Sequence, residues 1–146
     1  MSSPKVSVIE QDEDELNFKI TDVNVSIANS IRRIILSEIP IVVFKTTPYD
    51  KNNVDIIKNT SRMNNELIKQ RFSCIPIHIN DLNFPKEDYI VEVNVTNDTD
   101  KMLYVTTENF KIKNIKTDTY MNTSESKKIF PPNNISGNYI DLINLR

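Results

Sequence analysis

Alternation marks the start of the chain. In Lys5-Val6-Ser7-Val8-Ile9-Glu10, and again in Leu16-Asn17-Phe18-Lys19-Ile20-Thr21, apolar and polar residues trade places. That is the period of a strand with one face covered. The acidic run Asp12 to Glu15 separates the two segments, so residues 5 to 22 are predicted to form a β-hairpin. From Asn24 the period changes. At about 100° per residue, Ile27, Ile31, Ile34 and Ile35 form one stripe, with Ala28 beside it. Asn24 or Ser26 can accept hydrogen bonds from the first free backbone N–H groups, and Pro40 closes the far end. A helix over residues 26–39 follows, expected to lay its isoleucine stripe on the hairpin. Leu36 sits off that stripe, on the side that carries Arg32 and Arg33.

Residues 41–48, "IVVFKTTP", read as a strand ending at Pro48, and "YDKNNVDIIKNTS" as an irregular connection. A second helix fits "RMNNELIKQRFSC", with Ser61 or Asn64 as its cap, and "IPIHIND" leads out of it as extended chain. "YIVEVNVTN" and "KMLYVTTENFKIKNI" both alternate around the polar "TNDTD", which predicts a hairpin between them. Residues 117–138 are polar and contain Pro131 and Pro132, so they are expected to be mostly loop, and "NYIDLINLR" reads as a final strand. The order predicts an α+β protein in which a long region separates an early unit from a returning strand.

Composition narrows the chemistry. The 146 residues suffice for one ordinary domain or two small linked ones. A net charge of -2 and a pI near 5.4 argue against a broad nucleic-acid-binding surface. Cys74 is the only cysteine and His78 the only histidine, so internal disulfides, four-cysteine zinc sites and hydrolase triads lack their parts. Gly137 is the only glycine, which excludes glycine-rich phosphate loops. No signal-peptide core or membrane span is legible, and an intracellular protein is expected, nuclear or cytoplasmic.

The single candidates are weak. Asp12, Glu13, Asp14 and Glu15 read as a solvated turn, and without a second carboxylate group at a defined spacing acid–base work is unsupported. His78 falls between Ile77 and Ile79, on the polar side of an alternating segment. Cys74, near Phe72, Ile75 and Ile77, is expected to be a buried, inert thiol. Asn59 and Asn94 open glycosylation patterns that need a secretory route to be used. No catalytic residue, cofactor or metal site is expected. Arg32 and Arg33 stand apart, because a guanidinium pair cannot lie against hydrocarbon without partners. Either both face solvent, or their donor forks meet carboxylates or carbonyls of a second protein. Leu36 on the same side favours the second reading.

"VNVSIANSIRRIILSEIP" resembles the N-terminal signature of the RNA polymerase alpha family: the bacterial alpha subunit, the archaeal D subunit and the third-largest subunit of eukaryotic RNA polymerase II. Ala28, Asn29, Arg32, Arg33 and Ile39-Pro40 match it. "NTSRMNNELIKQRFSCIPI" is similar to a second family segment, at Glu66, Arg71, Ile75, Pro76 and Ile77. "YIVEVNVTNDTDKMLYVTTENFKI" looks like paired strands of the family's inserted domain, and "IDLINLR" like the return to its dimerisation domain.

The resemblance implies an alpha-subunit-like dimerisation domain, helices on an antiparallel sheet, interrupted by a mainly β inserted domain. Residues 1–44 would open the dimerisation domain, 45–138 form the insert, and 139–146 begin the return. It implies a non-catalytic platform for a DNA-directed RNA polymerase, dimerising with an alpha-like partner that is identical, smaller or fused. The largest and second-largest subunits would dock on it, through Asn29, Arg32, Arg33, Leu36, Glu66 and Arg71, and DNA would be met only through the assembled complex. The alternative is a self-contained protein-binding module or virion structural protein. Three departures stand out. The insert lacks the cysteine cluster of some relatives; the sequence stops before the family's C-terminal dimerisation helix, so an N-terminal piece or a truncated form completed by another chain is expected; and a DNA-binding C-terminal domain of the bacterial kind is not expected. The compact insert and AT-rich composition would suit a large DNA virus encoding its own polymerase, working in a cytoplasmic factory or virion.

Overall fold

The computed structural model describes residues 3–12 and 15–146. Glu13 and Asp14, half of the acidic turn, lie outside the described residues. The chain is α+β and divides into two compact units, Met1–Pro40 and Ile41–Arg146.

The first unit holds strands β1 (Lys5–Gln11) and β2 (Leu16–Thr21) and helix α1 (Val25–Ser37). The strands pair antiparallel as expected, with Val6 opposite Ile20 and Val8 opposite Phe18, so one hairpin face is apolar. The register slips between Val8 and Glu10, leaving Ile9 as an extra residue in a bulge. Asp12 N–H closes the turn on the Glu15 carbonyl at 2.9 Å. Asp22 adopts φ 59°, a left-handed conformation that aspartate tolerates better than most residues, and ends the strand just before α1.

The second unit carries α2 (Asn65–Ser73), β3 (Tyr89–Glu92), β4 (Leu103–Thr106), β5 (Lys111–Asn114), β6 (Thr119–Tyr120), α3 (Thr123–Ile129) and β7 (Asp141–Leu145). β3, β5 and β6 form one sheet in that order, and β4 pairs with β7 in another. Its core is Ile75, Phe110, Ile112, Phe130 and Leu142. Phe44 lies nearly parallel to Phe130 at 6.1 Å between centroids and edge-on to Phe72 at 5.7 Å. Such arrangements suit the ring quadrupoles.

Three expectations need correction here. Residues 41–48 form no strand. Their alternation survives only in burial, with Val42, Phe44 and Thr46 half-buried and their neighbours exposed, because a strand also needs an aligned partner backbone. The expected hairpin around "TNDTD" is absent, since β3 pairs with β5 and β4 with β7. "KMLYVTTENFKIKNI" is split between two sheets by a single 3-10 turn at Thr107–Asn109. Residues 117–138 are mostly loop, as expected, and the loop is interrupted by β6 and α3, whose cap Asn122 accepts the Glu125 N–H at 2.9 Å. Cys74 is exposed: it caps the end of α2 while its neighbours Phe72 and Ile75 turn toward the core.

Among the described residues no helix is long and apolar enough to cross a membrane.

Candidate docking surface

α1 begins where Asn24 stops the hairpin. The Asn24 side chain accepts the Ser26 N–H at 2.8 Å, and its carbonyl accepts from Ile27 and Ala28. Between Val25 and Ser37 the helix contains no acidic residue, so its arginines have no ion-pair partner within the helix.

Three faces follow from the wheel. Ile27, Ile31, Ile34 and Ile35 make the apolar one, and here the structure departs from expectation: none of them is buried. Ile31, the least exposed of the four, keeps 38% of its surface in water. The apolar hairpin residues Val6, Val8, Leu16 and Phe18 are exposed as well. The first unit therefore displays both apolar surfaces instead of burying one against the other. A second face carries Ser26, Ser30 and Ser37, of which Ser30 and Ser37 donate back to carbonyls one turn earlier, those of Ser26 and Arg33, at 2.8 Å each.

The third face is mixed. Asn29, Arg32, Arg33 and Leu36 lie on it, all exposed, and Leu36 shows 73% of its surface. The Asn29 side-chain oxygen accepts from Arg32 Nε at 3.2 Å and from Nη2 at 3.1 Å. That bond holds one guanidinium flat along the helix with several donors still unspent. The Arg33 guanidinium makes no ion pair among the described residues. Val25, 82% exposed, belongs to the same face and escaped the sequence reading. Its position on the wheel, between Arg32 and Leu36, was the available signal. The face thus combines aliphatic surface with unneutralised forked donors, the composition found at protein interfaces.

Glu66 and Arg71 lie apart from this face in sequence, on α2 in the second unit. Asn64 caps that helix, accepting the Leu67 N–H at 2.9 Å, and Ile68 anchors it by burial. Glu66, in its first turn, is exposed and borders a shallow groove of 340 Å³ with Asp55, Ile57 and Lys69. Arg71 turns elsewhere: its Nη2 donates to the Asp141 carbonyl at 2.7 Å. Nothing in the spacing of the two residues announced that bond. Asn59 is fully engaged, its amide donating to the Met63 carbonyl at 2.7 Å and to Asn65 Oδ1 at 2.8 Å, while its oxygen accepts from Ser61. Among the described residues no three His, Cys, Asp or Glu side chains gather as a metal set.

The family described as the RNA polymerase Rpb3/Rpb11 dimerisation domain matches residues 17–135. The DNA-directed RNA polymerases I and III subunit rpac1 of Dictyostelium discoideum is 32% identical over 92 residues, 60% of this chain and 25% of that protein. Human RPAC1 is 36% identical over 74 residues, 51% of this chain and 19% of its own length. The DNA-directed RNA polymerase subunit Rpo3 of Pyrobaculum arsenaticum is 35% identical over 74 residues, covering 51% and 26% respectively. The chain spans about a quarter of the length of these relatives or less.

Proposed function

The chain belongs to the RNA polymerase Rpb3/Rpb11 dimerisation-domain family, and from that premise we propose that it is a non-catalytic assembly platform of a multisubunit DNA-directed RNA polymerase. One observation carries the reading: α1 leaves both its isoleucine stripe and its arginine face uncovered. Exposed apolar surface of that extent marks a contact still to be made. The isoleucine stripe and the apolar hairpin face serve an alpha-like partner, whether identical, smaller or fused. The face formed by Val25, Asn29, Arg32, Arg33 and Leu36 docks the second-largest subunit, and the largest subunit joins the platform so formed. Glu66 supplies a second contact from α2. Residues 1–44 open the dimerisation domain, 45–138 make up an inserted domain, and 139–146 lead back. The compact-unit boundary at Pro40 lies four residues before the first of these divisions.

Nucleotide addition needs clustered carboxylates that hold two metal ions, and this reading assigns them to the large subunits. DNA is reached only through the complex, in keeping with the acidic pI of 5.4. The test is affinity capture of the tagged protein from its source organism followed by mass spectrometry. Recovery of the largest and second-largest polymerase subunits is the expected result. Recovery of capsid or regulatory proteins without polymerase subunits would replace the platform with a virion component or a free-standing binding module.

A further inference from the structure

Three backbone groups at the entrance to β7 are held by residues distant in sequence. Thr107, with only 2% of its surface exposed, donates its N–H to the Ile140 carbonyl at 2.9 Å. Its Oγ1 accepts the Ile140 N–H at 3.3 Å. The next carbonyl, that of Asp141, accepts from Arg71 Nη2 at 2.7 Å.

The β4–β7 register slips at this place. Val105 faces Ile143 and Thr106 faces Asp141, so Leu142 is one residue too many. That residue is 2% exposed and sits in the core cluster with Ile75, Phe110, Ile112 and Phe130. A bulge of this kind takes a residue out of the ladder and sharpens the local twist, and the backbone groups around it then need other partners. Thr107 holds the backbone of Ile140, two residues before the extra Leu142, and Arg71 holds the carbonyl of Asp141 immediately before it. α2 and β7 are in contact along this seam.

We infer that Arg71 is a positioning residue: it clasps α2 to the bulged start of β7 and thereby keeps Leu142 in the core, instead of reaching a partner subunit. Its chemistry suits the task. A guanidinium brings a charged donor in a fixed planar fork, and charge-assisted hydrogen bonds are shorter and stronger than neutral ones. A lysine would bring charge without the fork. The inference concerns the second unit alone and stands or falls independently of the platform reading.

Hydrogen exchange on the whole chain tests it, comparing wild type with Arg71→Ala and Arg71→Lys. Exchange at the β4 and β7 amides should speed up roughly ten-fold in Arg71→Ala, the factor lost with one charge-assisted hydrogen bond. Those of β3 and β5 should keep their rates, and Arg71→Lys should fall between. Should the alanine variant not fold, the lysine variant carries the same comparison. Unchanged exchange at β4 and β7 would overturn the clasp, as would protection lost alike across both sheets in both variants. Unchanged exchange together with lost capture of the second-largest subunit would place Arg71 at the partner interface.

Discussion

Asn29 holds Arg32. A single amide oxygen accepts from Nε at 3.2 Å and from Nη2 at 3.1 Å, three residues further along the same face of α1. The guanidinium is thereby set in place before any partner arrives. Asn29→Ala should leave the helix folded, because alanine is the better helix former. Affinity for the second-largest subunit should fall about five-fold, since ordering one freed arginine side chain costs about 1 kcal/mol on binding. Circular dichroism and a binding isotherm check the two halves separately.

Removing both charges should do more. Arg32→Ala with Arg33→Ala should leave the melting temperature of the isolated chain nearly unchanged, because both side chains are exposed. Truncating hydrogen-bonded charges at a desolvated interface costs about 2–5 kcal/mol, enough to abolish recovery of a complex at dilute concentration. Wild-type recovery of the second-largest subunit by this double variant would show that the pair is merely solvated.

The isoleucines of α1 behave differently from core residues. Ile31 and Ile34 retain 38% and 53% of their surface in water, so alanine at either should shift the isolated chain's stability by less than about 1 kcal/mol. Leu142→Ala, at a site that is 2% exposed, should cost about 2–5 kcal/mol. In the proposed dimer the order changes: Ile31→Ala and Ile34→Ala should weaken association with the proposed alpha-like partner. Thermal melts of the free chain and of the complex, run side by side, separate the two effects.

On the outer face of β3, β5 and β6, Tyr120 donates its hydroxyl to Glu92 Oε2 at 2.9 Å. The hydrogen bond and the negative charge of Glu92 push the phenol above its usual range. Folding therefore favours the protonated phenol. That contribution is complete below a pH of about 10, the ordinary tyrosine value, and is lost as pH rises through the raised one. Glu92→Gln should move the Tyr120 titration back down, observable by ultraviolet difference absorbance at alkaline pH. A titration that Glu92→Gln leaves in place would break the assignment. Lys113 beside it, bonded to Asp118 at 2.6 Å, is raised in the same way by that hydrogen bond and charge.

Local signals were legible and distant ones were not. The hairpin, α1 with its Asn24 cap, α2 with Asn64 and the strand at 141–145 each follow from a period and a cap within a few residues of one another. Pairing is a different kind of information. The alternation in 89–97 and 101–115 identified strand-forming segments but not their partners, and the nearest candidate was the wrong one. Exposure of the isoleucine stripe was equally hidden, because a wheel shows which residues share a face and not whether anything covers it. The arginine face could be read because charge and Leu36 sit on one short helix. The bond from Arg71 to Asp141 spans 70 residues and leaves no trace in either segment.

The two ladders of the second unit have one further consequence. β3 joins β5 while β4 joins β7, so in chain order the ladders interlock like links, each opening before the other has closed. No single cut separates one sheet from the other with both intact. A protease that nicks the turn Asp98–Asp100 divides β3 from β5, yet the two pieces remain tied by that ladder and by the shared core of Phe44, Phe72, Phe110 and Phe130. The nicked halves should stay together under native conditions and part only in denaturant. Rejoining them requires a bimolecular encounter that forms the β3–β5 ladder and the shared core across two chains, so reassembly of the halves should lag behind refolding of the unbroken chain.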